Sequence, residues 1–246
     1  MRLLLWMTLL LALPLGAQPP ATDAVPTDEA EKKAEKSGPC GGGAVFDDGT
    51  VETGYSFVPN ATDGMYVQPL NSSQLASRQL SKVCVCFLKT RGDDSAFFRV
   101  VFFNDIGGAP HPYPYAAVNA KATDIPKSVE DAGRFYEVDV TGVEIPEGVS
   151  YVGVRWNPSK SPYLFTCTDT SEETAKTPVY FREGPRPRWK TNERTKDPVF
   201  RPHRSIMLRT ESMPAPKPGA EKPEPVPGLK LFKIGTASQT RASNTP

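Results

Sequence analysis

Short runs of β-branched and aromatic residues recur through the middle of the chain, and turn residues separate them. Apolar residues at helical spacing are nearly absent there, so the pattern is typical of an antiparallel sandwich or barrel. Seven clear runs and two fainter ones predict strands, at 82–89, 96–104, 134–140, 150–156, 163–167, 179–182 and 205–209, and at 43–46 and 64–69. The fold class that we predict is all-β, an antiparallel β-sandwich.

The order of side chains within these runs indicates how each strand is buried. The runs at 82–89 and 96–104 are apolar on both alternating faces. Such strands are central and covered on both sides, because successive side chains point to opposite faces of a sheet. The run at 134–140 alternates apolar and charged residues, which indicates one face in water.

The first 17 residues have the pattern of a secretory signal peptide. Arg2 precedes an apolar run at 3–15, and the small residue Ala17 precedes a Pro-rich start. The 13 residues of the apolar run fall short of the roughly 20 that a membrane-spanning helix needs. An uncleaved membrane anchor is the alternative. We expect cleavage after Ala17 and a secreted or periplasmic protein with no stable membrane span.

Disordered tails are predicted on both sides of a folded domain at 40–210. Residues 18–39 contain almost no large apolar side chain, so burial cannot offset the entropy of ordering them. Residues 211–246 begin with prolines at near-alternate positions, which favours an extended polyproline conformation. A short apolar cluster at 229–234 follows. It either docks on a partner or belongs to a floppy tail.

Four cysteines mark an exported protein as a candidate for disulfide bonds: Cys40, Cys84, Cys86 and Cys167. Two of them, Cys84 and Cys86, lie on one face of a strand, about 6.8 Å apart along it, which disfavours a bond between them. The pairing is then Cys40–Cys84 with Cys86–Cys167, or the crossed arrangement. A zinc site is the alternative, but the Cys-Val-Cys spacing is tighter than usual.

The net charge of +1 conceals an uneven distribution of charged residues. Residues 44–176 contain 17 Asp and Glu against 11 Lys and Arg, whereas residues 182–209 contain nine Lys and Arg against three acidic residues. Basic residues interleaved with aromatic ones can bind phosphate backbones or anionic envelope polymers. The simpler interpretation, which we favour, is that the basic segment folds back on the acidic sandwich. We expect no nucleic-acid partner.

No catalytic signature is present in the sequence. Neither His111 nor His203 lies in a motif of known chemistry, and the phosphate loop and the dinucleotide fingerprint are both missing. Most candidate carboxylates lie in turns, where Asp commonly caps the backbone. We therefore expect a protein that is not an enzyme. A hydrolase built from scattered carboxylates is an alternative, because such sites leave no sequence motif.

The segment 105–115 is the best candidate for a binding loop. Its prolines and glycines frame His111, Tyr113 and Tyr115, and aromatic faces of this kind stack on sugar rings and on peptide prolines. Two tryptophans, Trp156 and Trp189, could extend the surface. The alternative for each aromatic residue is ordinary packing in the core or in a loop.

The order of several segments resembles a known group of domains. These segments are 46–52 (FDDGTVE), 83–88 (VCVCFL), 101–110 (VFFNDIGGAP), 151–156 (YVGVRW), 167–170 (CTDT) and 205–209 (SIMLR). Over about residues 43–210 the chain resembles the jelly-roll, galactose-binding-like domains of bacterial exported proteins. The cysteine pattern and the long basic loop are not general features of that group.

The resemblance implies a sandwich of about eight strands that recognises glycans or proteins. It also implies a structural calcium ion as the one candidate cofactor. Carboxylate oxygens suit calcium, and the positions that could supply them are Asp47, Asp48, Glu52 and Asp169. No sugar-binding signature carries over residue by residue, so the resemblance leaves the ligand open.

We rank two functional hypotheses above the hydrolase. The first is a secreted, non-catalytic binding module that recognises a glycan or an envelope or extracellular protein. The second is a structural or assembly factor that docks on a partner through its Pro-rich tail.

Overall fold

Strands rich in Val, Phe and Tyr form two antiparallel sheets in a computed structural model of the chain. The structure describes residues 40, 43–51, 53–57, 61–89, 97–121, 125, 134–162, 164–169, 179–183, 188–191, 205–215, 219 and 223–232. All of them belong to one unit, residues 35–246. The predicted signal peptide and the segment 18–39 lie outside the described residues.

Within these ranges a single 3-10 turn, Ser72–Gln74, accompanies the strands. The strands are β1 Thr53–Tyr55, β2 Gly64–Asn71, β3 Leu80–Lys89, β4 Phe97–Asn104, β5 Ala116–Lys121, β6 Arg134–Asp139, β7 Val149–Trp156, β8 Leu164–Asp169, β9 Tyr180–Glu183, β10 Lys190–Thr191, β11 Ser205–Ile206, β12 Leu208–Ser212 and β13 Leu229–Leu231.

The first eight strands pair as a set of nested antiparallel partners. The pairs are β4 with β5, β3 with β6, β2 with β7, and β1 with β8. Further pairing of β3 with β8 and of β4 with β7 divides the strands into sheet A, β1-β8-β3-β6, and sheet B, β2-β7-β4-β5. This is the connectivity of a jelly roll, so the predicted fold class is confirmed.

The remaining strands extend both sheets. In sheet B, β9 and β10 add to the edge at β2, and β13 adds to the edge at β5. In sheet A, residues 205–212 cross from one strand to another: β11 pairs with β8, and β12 pairs with β3. At the crossing, the backbone of Met207 donates to the carbonyl of Cys167 and accepts from the N–H of Cys86, both at 3.0 Å.

The main core lies between the two sheets. Sheet A contributes inward side chains such as Val85 and Phe87, and sheet B contributes Phe98 and Phe102. At one end of this core the ring of Phe57 stacks on Tyr66, with centroids 4.2 Å apart, and lies 5.0 Å from Trp156. Each large side chain that is fully buried in this way contributes roughly 1.5–3 kcal/mol relative to an exposed one.

The four cysteines form the pairs Cys40–Cys84 and Cys86–Cys167. This is the first of the two predicted arrangements, and it makes the zinc alternative wrong because no cysteine is free. Cys84 and Cys86 lie on the face of β3 that points away from the main core. There, Cys86 and Cys167 form a separate buried cluster with Met207. The second disulfide therefore joins β3 and β8 where residues 205–212 enter the sheet.

The predicted strands agree with most of the observed ones. The run at 43–46 forms only one bridge, between Val45 and Arg209. The short strands β1, β5 and β10 carry no clear strand pattern in the sequence and were not predicted. The strand β12 extends to Ser212, slightly past the predicted boundary at residue 210. The apolar cluster of the predicted tail forms β13 along β5.

The disulfides agree with the oxidising compartment that the sequence predicts. Two disulfides are typical of proteins in an oxidising environment. Among the residues that the structure describes, no helix has the length and hydropathy that crossing a bilayer requires.

Candidate functional site

The outer face of sheet B carries a second apolar cluster, on the side away from the main core. Its members come from four neighbouring strands: Met65, Val67, Val101, Phe103, Ala117 and Tyr151. Two half-buried side chains, Tyr180 and Trp189, pack against it. The Trp189 ring lies 5.2 Å from the Phe103 ring in an edge-to-face arrangement. This face is thus partly covered by residues that follow β8 in the chain.

The predicted binding loop, 105–115, begins with a tight turn above this face. Gly107 and Gly108 have φ of +62° and +83°, a backbone region that favours glycine. The carboxylate of Asp105 accepts hydrogen bonds from the Gly108 N–H (3.2 Å) and from the Tyr151 hydroxyl (2.9 Å). A bridge between Asp105 and Pro110 closes the turn. The start of the loop is therefore anchored to the sheet.

Three side chains from the β9–β10 region hold the loop by its backbone carbonyls. Tyr180 donates to the carbonyl of Gly108 (2.6 Å), and Arg182 donates to that of Pro112 (2.8 Å). Trp189 donates to that of His111 (3.3 Å). The Arg182 guanidinium also lies 5.1 Å from the Trp189 ring centroid. We call these three donors, Tyr180, Arg182 and Trp189, the loop clamp.

The clamp leaves one aromatic side chain of the loop in solvent. Tyr113 is 66% exposed. The imidazole of His111 stabilises the local turn, because its Nδ1 accepts from the Tyr113 N–H (3.0 Å). The two rings lie 6.0 Å apart. The structure thus brings together three predicted ligand-binding residues, Tyr113, His111 and Trp189.

The other two predicted ligand-binding residues lie elsewhere. Tyr115 packs against the main core, its ring 6.2 Å from that of Phe102, and burial raises its pKa above the usual range. Trp156 lies in the main core and is only 2% exposed, so its ring faces cannot stack on an external ligand. Trp156 points inward because it shares the inner side of sheet B with Val152 and Val154. Tyr115 precedes β5, so the alternation of that strand does not set its direction.

A row of arginines crosses the outer face of sheet B and was not predicted. Met65 on β2 is the cross-strand partner of Arg182 on β9 and of Arg155 on β7. On the other side of β7, Arg155 pairs with Arg99 on β4. Asp63 accepts from Nε and Nη2 of Arg155, at 2.7 and 3.1 Å. Alternation within each strand places these arginines outward. The sequence could not reveal the row because it does not specify which strands are neighbours.

The row borders a small cleft of about 180 Å³. Its walls are Thr62, Asp63, Phe97, Arg99, Arg155, Trp156 and Asn157. Arg182 lies deeper than the other two arginines and is 8% exposed. Burial, reinforced by the nearby charge of Arg155, lowers the pKa of Arg182 below its usual value. The accessible cations of the row are therefore Arg99 and Arg155.

Three of the four carboxylates considered for calcium, Asp47, Asp48 and Asp169, lie on the side of sheet A that faces away from the main core. Asp47 accepts hydrogen bonds from Arg209, and Asp48 accepts from the hydroxyl and N–H of Thr50. Asp169 accepts from the Asp48 N–H (2.7 Å). Glu52 lies outside the described residues. Nowhere in the described ranges do three or more His, Cys, Asp or Glu side chains gather to hold a metal. The calcium site stays a prediction.

The residues of the basic segment at 182–209 that the structure describes contact the sandwich. Arg182 is buried beside Met65, with Nη2 3.6 Å from its Sδ, and Arg209 is buried in an ion pair with Asp47. The other residues of that segment that the structure describes include Trp189 and Lys190 on the side of sheet B. His203 and the arginines at 194, 201 and 204 lie outside the described residues.

Comparison of the chain with protein-family models, with curated proteins and with solved structures finds no match in any of the three. The fold and the geometry of the outer face of sheet B therefore carry the functional argument.

Proposed function

We propose that the protein is a secreted or periplasmic binding module of galactose-binding-like type, without catalytic activity, that recognises a glycan on the outer face of sheet B. The observation that carries this proposal is the loop clamp. Three donors fix the backbone of residues 105–115, and the aromatic side chain of the loop that this arrangement leaves largely in water is Tyr113.

The clamp supports a binding role for an energetic reason. Ordering a loop on association costs free energy, and a loop that is already ordered avoids much of that cost. A tyrosine ring offers an apolar face and a polar hydroxyl, the combination that suits a sugar ring. The Trp189 ring packs on the outer face of sheet B and donates a hydrogen bond to the carbonyl of His111, two residues before Tyr113 in the chain.

Export is supported by two independent features. The two disulfides need an oxidising compartment to persist, and the first 17 residues have the pattern of a signal peptide. Glycans of the cell envelope and exterior are ligands that such a protein meets.

The proposal is tested with the purified, oxidised protein on an array of glycans, followed by titration calorimetry with the best ligand. We expect saturable binding, and we expect Tyr113→Ala to weaken it roughly tenfold, as loss of an interface anchor commonly does. Tyr113→Phe keeps the ring and should retain most of the affinity.

Phe232→Ala is the matched control, because Phe232 is also an exposed aromatic residue, 45% accessible, near the edge of sheet B. It should bind as the wild type does. Equal affinity of Tyr113→Ala and wild type would remove the loop from the binding site, and failure of the wild type on every glycan would refute the proposal.

One observation favours a second candidate, an assembly factor that docks through its tail. The strand β13 leaves Leu231 67% exposed next to Phe232, at the outer edge of sheet B. A chain that ends after Ala215 keeps β12 and lacks β13. Recovery of one envelope protein by the full chain, and its loss from the shortened chain, would favour the assembly role.

A further inference from the structure

The two outer faces of the sandwich have opposite charge. On the outer face of sheet B, cross-strand partners place these described cations together: Arg99, Arg155, Arg182, Lys121 and Lys230. The described acids near that face are Asp63 and Asp105, and both accept hydrogen bonds within the protein. The charge of the chain as a whole, +1, conceals this concentration.

The outer face of sheet A is the acidic counterpart. Glu137, Asp139 and Glu211 lie on this face because their strand partners are Lys82 and Cys84. Asp47 and Asp169 lie on the same side of sheet A. The described cations of that face are Lys82 and Arg209, each in an ion pair. An anionic ligand is therefore drawn to sheet B and repelled from sheet A.

Two guanidinium groups on sheet B are within reach of a ligand. Arg99 is exposed, and its described contact is one hydrogen bond from Nε to Asn119 (2.9 Å). Arg155 is 31% exposed and uses Nε and Nη2 for Asp63. A guanidinium carries five N–H donors, so both side chains keep donors for a further acceptor.

The cleft between these arginines has a size that limits what enters it. Its volume of about 180 Å³ is below the roughly 300–1,000 Å³ of clefts that enclose a whole small molecule. It therefore accepts one substituent of a larger ligand. Guanidinium donors fit the planar carboxylate in particular, because two parallel N–H groups match its two oxygens. Phe97, which is 59% exposed, gives the cleft an apolar wall.

The cleft and the loop belong to one continuous surface. Arg182 connects them: it holds the loop at Pro112 and lies two strands from Arg155, which is roughly 10 Å at ordinary strand spacing. A ligand that touches both is longer than a single sugar ring.

We propose that the glycan is acidic: a uronic acid unit places its carboxylate in the cleft, where Arg99 and Arg155 bind it, while a neighbouring ring of the same oligosaccharide contacts Tyr113. This inference rests on the proposed function and adds to it the chemical class of the ligand. Arg182 acts as a positioning residue, because it holds the loop and stays buried.

The test uses oligosaccharides of equal length, one built of uronic acid units and one of the matching neutral hexose, with the full oxidised protein. We expect at least roughly tenfold tighter binding of the uronate, since a hydrogen bond to a charged group is worth about that factor. Its affinity should fall as salt increases, whereas that of the neutral oligosaccharide should not. Arg99→Ala should abolish the preference.

Lys82→Ala is the matched control, because it removes an exposed cation from the opposite face. It should leave the preference unchanged. Equal affinity for both oligosaccharides, insensitive to Arg99→Ala but lost in Tyr113→Ala, would overturn the acidic ligand and leave the glycan-binding function intact.

Two other results decide between ligand classes. Poly-glutamate that binds as tightly as the uronate would overturn the sugar in favour of an acidic protein partner. Absence of binding to every oligosaccharide would overturn the proposed function, and the acidic ligand with it.

Discussion

Arg209 lies on the outer face of sheet A with its guanidinium between a carboxylate and an aromatic ring. Its side chain is 6% exposed and that of Asp47 is fully buried. Two nitrogens of Arg209 donate to Asp47, and Cζ lies 4.4 Å from the centroid of the Phe135 ring. A buried charge is stabilised only while its partner is present, because water cannot reach it to replace a missing carboxylate.

We expect Asp47→Ala to lower the free energy of unfolding by about 3–5 kcal/mol, since it leaves the Arg209 charge buried and unpaired. Urea denaturation at neutral pH measures the change. The control is Glu144→Ala, which breaks the exposed pair with Arg78, half in solvent on both sides, and should cost less than about 1 kcal/mol. Similar losses in the two variants would contradict the burial argument.

Tyr115 predicts how stability depends on alkaline pH. Burial raises its pKa above the model-peptide value of about 10, so the folded protein keeps a proton that the unfolded chain releases. Its contribution is complete below pH 10 and is lost as pH increases further, by about 1.4 kcal/mol per pH unit for this one group.

The measurement compares wild type and Tyr115→Phe by urea denaturation at pH 8 and pH 11. The variant should gain about 1.4 kcal/mol relative to wild type between the two values, because it has no phenolic proton to lose. A constant difference between the two proteins would show that the Tyr115 hydroxyl ionises equally in the folded and unfolded states.

For single residues, the sequence identified the side chains that suit ligand binding better than it identified the direction in which each side chain points. Tyr113 and Tyr115 are two positions apart and look equivalent in sequence, yet one is exposed and the other packs on Phe102. The strand β5 begins directly after Tyr115, and its inward residues are Ala116 and Val118, so alternation along β5 does not predict that Tyr115 packs inward. Trp156 ends β7 with the inward parity of Val154. Orientation depends on where a strand begins, and element boundaries are what sequence patterns locate least well.

At the scale of elements, the loop clamp joins two segments that are about 70 residues apart in the chain. The hydroxyl of Tyr180 is its shortest contact, 2.6 Å from the Gly108 carbonyl. Gly107 and Gly108 lie in open space, since no atom lies within 4 Å of a Cβ placed at either one. Besides Tyr180, the Asp105 carboxylate holds this turn through the Gly108 N–H.

Tyr180→Phe removes that contact and keeps the ring, which packs on Tyr151 at 5.2 Å. We expect faster hydrogen exchange at the amides of residues 106–113, by roughly three- to tenfold, because one hydrogen bond is worth about 0.5–1.5 kcal/mol. Amides of β4 should be unchanged and serve as the internal control. Unchanged exchange in the loop would mean that Arg182 and Trp189 hold it without Tyr180.

The elements that the sequence missed have a common physical cause. The strand β5 reads AAVNAK, and alanine has little intrinsic preference for strands. It is a strand because β4 and β13 pair with it on both sides. The run at 43–46 shows the converse, since Ala44 and Phe46 are buried in the main core while the run forms a single bridge, between Val45 and Arg209, in place of a strand. Pairing partners, which are distant in sequence, override local propensity in both cases.

At the scale of the whole molecule, the two disulfides close loops of different length. The sequence separations are 44 for Cys40–Cys84 and 81 for Cys86–Cys167. In the chain-entropy account the longer loop contributes about 4.5 kcal/mol and the shorter about 4.0 kcal/mol at 25 °C. The longer one also belongs to a buried cluster with Met207, so its removal leaves a cavity as well.

We therefore expect the variant Cys86→Ala/Cys167→Ala to lose more stability than Cys40→Ala/Cys84→Ala. Urea denaturation of both variants without reducing agent measures the order. A larger loss for the Cys40–Cys84 bond would show that the segment around residue 40 stabilises sheet A more than loop length and packing indicate.

The fold class could be predicted from the sequence because many residues together define where the strands and the turns between them lie. Eight of the nine predicted runs coincide with strands, from β2 through β12. The nested pairing of β1 with β8 and of β3 with β6 gives the jelly roll its connectivity. The resemblance to galactose-binding-like domains supplied that connectivity; the spacing of the strands alone allowed other sandwiches and barrels.

The crossing of residues 205–212 between β8 and β3 also governs when the molecule can fold. Part of β3 and part of β8 have no strand partner along one edge until residues 205–212 pair with them. Likewise, β1 cannot pair until β8 has been made. Contacts between distant parts of a chain form slowly, because a long loop must close before any of them is made. A growing polypeptide therefore cannot complete its sheet before residue 212 has been synthesised. Until then the fold is incomplete, and a polypeptide that has not completed its fold can be threaded through a narrow channel.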